Sequence, residues 1–151
     1  MTSRSDSPPD CLSAGLRSAH VPTTTEVATI RRFPARPESV GAARRFVAGL
    51  IGGCTEPPTL DAAQLLTSEL VTNALLHGGL EPDDELVVSV AVSDAAVRVE
   101  ALDRSRAQPT RRRPGVTDRS GRGVAIIAEL ARSWGTTPDE HGKWVWFELA
   151  I

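Results

Sequence analysis

Several features that would mark large classes of protein are scarce or missing. There are two cysteines in 151 residues, Cys11 and Cys54, and their separation fits no metal-binding or redox spacing. The expectation is two unpaired thiols in a reducing compartment. No apolar run approaches the roughly 20 residues that span a bilayer. The N-terminus carries charge without an apolar stretch behind it, so no secretory signal is expected either, and the expected location is the cytoplasm. Lys143 is the only lysine among 17 basic residues, and with 19 acidic ones the formal net charge is −2. That balance gives no global reason to expect nucleic acid or an anionic membrane as partner. No internal repeat is present.

What remains is ordinary for a globular chain: 40% hydrophobic and 24% charged residues. The length is that of one domain with a short tail, able to bury roughly 70% of the surface its unfolded chain exposes. Residues 1–25 are rich in Ser, Thr and Pro with scattered charge and no periodicity, which gives too little apolar surface to order them. They are expected to be a disordered tail before a domain over residues 26–151.

Within the domain, residues 26–33 (EVATIRRF) read as a first strand. After Pro34 and Pro37, residues 38–51 read as a helix with Val40, Ala43, Phe46, Val47 and Leu50 on one side. Gly52 and Gly53 end it, Pro57 and Pro58 mark a turn, and residues 59–77 form the longest helical signal, with Thr59 as its N-cap and Gly78-Gly79 as its stop. Residues 85–92 and 97–102 are strand-like around a Ser93-Asp94-Ala95-Ala96 turn. Residues 104–120 are polar, basic and broken by Pro109 and Pro114, a length that suggests a lid or binding loop. Residues 124–132 are helical, and residues 143–149 (KWVWFEL) close the chain as a strand. The order β-α-α-β-β-loop-α-β favours a two-layer α/β sandwich with helices on one face of a mostly antiparallel sheet.

Three patterns carry chemistry. At about 100° per residue, Glu69, Asn73 and His77 share one stripe of the long helix with the apolar Ala62, Leu66 and Leu70, while Val71 and Leu75 lie opposite. A carboxylate and an amide among apolar residues are costly without partners. One turn apart they suit a metal–phosphate site, the amide oxygen for Mg²⁺ and the carboxylate as base; a solvated helix edge is the plainer alternative. Strand alternation puts Asp103 on the core-facing side with Val97, Val99 and Ala101, where it needs a donor such as the amino group on a base edge. A turn residue is the alternative there. Third, Ser120-Gly121-Arg122-Gly123 runs directly into Val124-Ala125-Ile126-Ile127. Glycines at a helix start let free N–H groups approach a phosphate, although a plain helix-entry turn explains a lone G-x-G equally well.

Together, in this order and spacing, the three patterns resemble the GHKL (Bergerat-fold) ATPases, and within them the small anti-sigma factor serine kinases of the RsbW/SpoIIAB type. The resemblance covers residues 26–151. Its N-box is similar to Glu69-Leu70-Val71-Thr72-Asn73-Ala74 with His77-Gly78, its glycine boxes to Asp103-Arg104-Ser105 and Ser120-Gly121-Arg122-Gly123, and its last strand to GKWVWFEL from Gly142. The resemblance implies ATP and Mg²⁺ as cofactors. Glu69 would be the general base, Asn73 the Mg²⁺ ligand, and Asp103 with Ser105 the adenine site, Ser105 standing where the family usually has glycine. The N–H groups of Gly121, Arg122 and Gly123 would hold the phosphates. Residues 104–120 would be an ATP lid whose Arg111-Arg112-Arg113 run brings positive charge. Lys143 and His77 are assigned structural roles.

At this length, neither the dimerisation and phosphoacceptor helices of a complete sensor kinase nor the second domain of gyrase-like, chaperone or mismatch-repair ATPases is expected. The resemblance therefore implies a serine/threonine kinase of a partner-switching system. Its partners would be a STAS-type anti-sigma factor antagonist, which it phosphorylates, and a sigma factor; monomer and homodimer both stay open. The alternative is a nucleotide-gated binding module that transfers nothing. Glu69 favours the kinase, because a pure binder needs only Asn73 and Asp103.

Overall fold

The computed structural model describes residues 27–104 and 119–151. The first strand, β1 (Val27–Pro34), is followed by α1 (Glu38–Ile51) and α2 (Pro57–His77). Next come β2 (Glu85–Val92), β3 (Ala96–Asp103), α3 (Arg119–Leu130), β4 (Ser133–Asp139) and β5 (Gly142–Ala150). The strands form one sheet in the order β1-β2-β3-β5-β4, and every neighbouring pair is antiparallel. The helices pack side by side on one face, with α2 in the middle between α1 and α3 and against β2, β3 and β5. This is the two-layer α/β sandwich expected from the element order.

The packing follows from the patterning. On α1, Ser39, Ala43, Val47 and Ile51 recur every fourth residue and are all buried, a stripe at helical spacing. Ser39 Oγ donates to the Pro34 carbonyl at 2.6 Å and fixes the turn from β1 into α1. The helix-facing side of the sheet supplies Leu86, Val88, Val90, Val97, Val99, Ala101, Phe147 and Leu149, which meet Leu66, Leu70 and Val71 of α2 in one core. At the β1 edge, Phe33 and Phe46 meet edge to face at 5.9 Å beneath the Arg31 guanidinium, 5.5 Å from the Phe33 ring. The other face of the sheet carries a smaller cluster of Val87, Leu102 and Trp144. Beside it, Arg98 lies 3.8 Å over the Trp146 ring and 2.8 Å from Glu100.

Four expectations are corrected. Pro57 and Pro58 are not a turn before the helix but its first residues, with Glu56 in the extended cap position and no side-chain cap bond. Proline fits there because the first N–H groups of a helix have no intrahelical partner to lose. Helix α3 begins at Arg119 rather than 124 and ends at Leu130 rather than 132. Residues 133–139, left unassigned in the sequence, form the strand β4. It lies at the sheet edge, where Pro138 removes no ladder bond that a central strand would need. Cys54, partly buried just past α1, is disulfide-bonded and so is not an unpaired thiol. The expected tail over residues 1–25 lies outside the described residues. Among the described residues, no helix is long and apolar enough to cross a membrane.

Candidate functional site

The site is built from three elements that the core forces together. Because α2 is the middle helix, part of its polar stripe lies on the flank that packs against α3. Glu69 and Asn73, one turn apart, are both half-buried on that flank. Gly123 of α3 is buried against them. A methyl group at Gly123 would overlap Glu69 Oε2 and stand 3.4 Å from Asn73 Nδ2 and 3.5 Å from Glu69 Cδ. Only glycine lets the α3 backbone come this close to the two polar side chains. His77 lies exposed at the end of α2 and is not drawn into this group.

The early start of α3 changes the reading of its glycines. Gly121, Arg122 and Gly123 are not a loop leading into the helix but part of its first turns. The first N–H groups of a helix lack intrahelical partners, and Ser120 and Gly121 stand among them. A helix start of this kind attracts anions in general, and Gly123 is the close contact to α2.

Asp103 closes β3 on the helix-facing side, as the strand alternation required. The next residue, Arg104, donates its N–H to the Gly78 carbonyl at the end of α2, at 2.9 Å, and its guanidinium meets Asp84 Oδ1 at 2.9 Å. These bonds hold the end of β3 against the C-terminal end of α2. Asn73 lies five residues before Gly78, roughly 7–8 Å along the helix axis. Across the sheet Asp103 pairs in register with Lys143 of β5, and Lys143 Nζ stands 3.5 Å from Asp103 Oδ2. Gly142 makes this approach possible: its φ is +148°, and a Cβ there would overlap the Asp103 carbonyl.

The end of β3 thus carries a carboxylate, the neighbouring stretch of α2 an amide and a second carboxylate, and α3 packs its Gly123 against that pair. Among the described residues no group of three or more His, Cys, Asp or Glu side chains gathers to hold a metal. An amide oxygen such as that of Asn73 is a suitable oxygen donor for Mg²⁺, which keeps several waters and takes much of its coordination from substrate phosphates. The structure thus brings together Glu69, Asn73 and Gly123, and places Asp103 beyond them at the C-terminal end of the same helix. Ser105 and Arg111-Arg112-Arg113 lie outside the described residues, as does most of the expected lid. Sequence reasoning gave Lys143 only a structural role; its place opposite Asp103 follows from a register that no local pattern encodes.

No curated protein matches the chain in sequence. The family model of the histidine kinase-like ATPase domain matches residues 33–149, from the last residues of β1 almost to the end of β5, and so includes Glu69, Asn73, Asp103 and Gly123. The chain belongs to the histidine kinase-like ATPase domain family and carries its ATP-binding domain.

Proposed function

We propose that this chain is a serine/threonine protein kinase of the anti-sigma-factor type, which transfers the γ-phosphoryl group of ATP to a hydroxyl of a STAS-type antagonist protein. The observation that supports this best is the contact between Glu69 and the first turns of α3. It holds a carboxylate beside the helix end that attracts phosphate, the place a general base for the attacking hydroxyl must occupy. In this reading Asp103 accepts the base amino group, Asn73 offers its amide oxygen to Mg²⁺, and the N-terminal N–H groups of α3 face the phosphates. Mg²⁺, when bound, would neutralise charge on the phosphate oxygens. Glu69 takes the proton of the serine or threonine hydroxyl as its oxygen bonds to phosphorus and ADP leaves. Such transfer asks mainly for positioning and charge neutralisation.

Incubating the chain with γ-labelled ATP, Mg²⁺ and antagonist proteins encoded in its own genome tests the proposal. Label on a serine or threonine of one antagonist is expected. Tight ATP binding without transfer to any of them would leave a nucleotide-gated binding module, with Glu69 a structural carboxylate.

A further inference from the structure

The chain's single lysine stands beside the carboxylate assigned to the base. Lys143 lies directly opposite Asp103 in the β3–β5 ladder, so both side chains leave the sheet on the helix-facing side. Each is only 13% exposed, and the 3.5 Å between Nζ and Oδ2 is too short to admit a water. An ion pair this sheltered is weak as a stabilising device, because desolvating both charges offsets most of their attraction. The surface near the same strand end is already tied down by Arg104 and Asp84. Two adjacent polar heads of opposite character, one accepting and one donating, instead make a small recognition surface at the end of β3.

The chemistry of that surface matches one edge of adenine. The 6-amino group is a donor and the neighbouring ring nitrogen N1 an acceptor, both in the plane of the base. We propose that Lys143 is a specificity-determining residue of the nucleotide site, its ammonium donating to adenine N1 while Asp103 accepts from the 6-amino group. The proposal rests on the reading of Asp103 as the base-binding carboxylate. A 6-oxo purine in the same orientation presents an oxygen to Asp103 and an N–H to Lys143, so both contacts turn repulsive. Discrimination then comes from two buried groups left mispaired, which is the strong form of selectivity.

A binding cycle on the full chain tests it. Mg²⁺ complexes of ATP and of 1-deaza-ATP, in which N1 is replaced by C–H, are titrated into wild type and Lys143→Met, with folding of the variant checked by thermal unfolding. A charge-assisted hydrogen bond predicts a loss of roughly 10- to 100-fold for 1-deaza-ATP on the wild type. A similar loss is expected for ATP on Lys143→Met, and the combination should cost no more than either change alone. Losses that multiply in the combination, or ATP affinity unchanged in Lys143→Met, would overturn the contact. If the variant does not fold, equal affinity of wild type for the two nucleotides overturns it by itself. The underlying reading is tested apart by Asp103→Asn: unchanged ATP affinity there removes the base assignment of Asp103, whatever Lys143 does.

Discussion

At the scale of single residues, glycine and threonine positions say most about how tightly the molecule is built. Gly123 packs its backbone onto Glu69 and Asn73, so Gly123→Ala must move either the α2 side chains or α3. The expected outcome is a folded protein whose phosphotransfer falls at least about tenfold, since small misplacements of reacting groups cost rates of that order. Wild-type turnover in Gly123→Ala would show that Glu69 tolerates displacement and is no positioned base. Thr67 is fully buried on α2, and among the described residues its Oγ1 has no hydrogen-bond partner. Replacing an unpaired buried hydroxyl by a methyl of the same shape removes a desolvation penalty. Thr67→Val is therefore expected to raise unfolding stability by about 1 kcal/mol in a urea titration; a loss of similar size would mean that the hydroxyl is bonded after all. Asp103→Ala should reduce ATP binding by several orders of magnitude, because the donor on the base would be left unpaired. Calorimetry giving near wild-type affinity would contradict its role.

At the scale of elements, α3 is the piece whose attachment matters most for the site. Ile127 anchors it in the main core, while Val124 and Leu130 stay exposed. Removing that anchor with Ile127→Ala should cost about 2–4 kcal/mol. The loss should appear as local opening, with amide exchange rising in residues 119–130 and little change in β3 and β5. A uniform rise across the sheet would show that α3 unfolds only with the whole domain. The elements also show what a sequence can and cannot reveal. Helix α1 and strand β2 were legible to the residue, because apolar residues three and four apart in the one and a valine-rich apolar run in the other leave little choice of period. Strand β4 was not: Gly135, Thr136, Thr137 and Pro138 carry no alternation, and only pairing with β5 makes them a strand. The start of α3 differs from the local pattern because Ser120, Gly121 and Gly123 have the composition of a loop, whereas the helix includes them and packs Gly123 against α2. Propensity is a weak prior that tertiary packing overrides.

At the scale of the whole molecule, the sandwich serves to carry a central helix with polar groups on a covered flank. Glu69 and Asn73 were legible from their spacing and their apolar surroundings, and Asp103 from the alternation of β3. Lys143 was not, because its meaning lies in a cross-strand register set 40 residues away. The central claim is that Glu69 acts on the attacking hydroxyl and does little to hold ATP. It is tested most directly by measuring Mg-ATP affinity and phosphotransfer side by side in wild type and Glu69→Ala. The expected result is nearly unchanged affinity with transfer to the antagonist slowed about 10²–10⁴-fold, the usual effect of removing a positioned general base. Transfer at the wild-type rate in Glu69→Ala, or loss of ATP binding in step with loss of transfer, would contradict it.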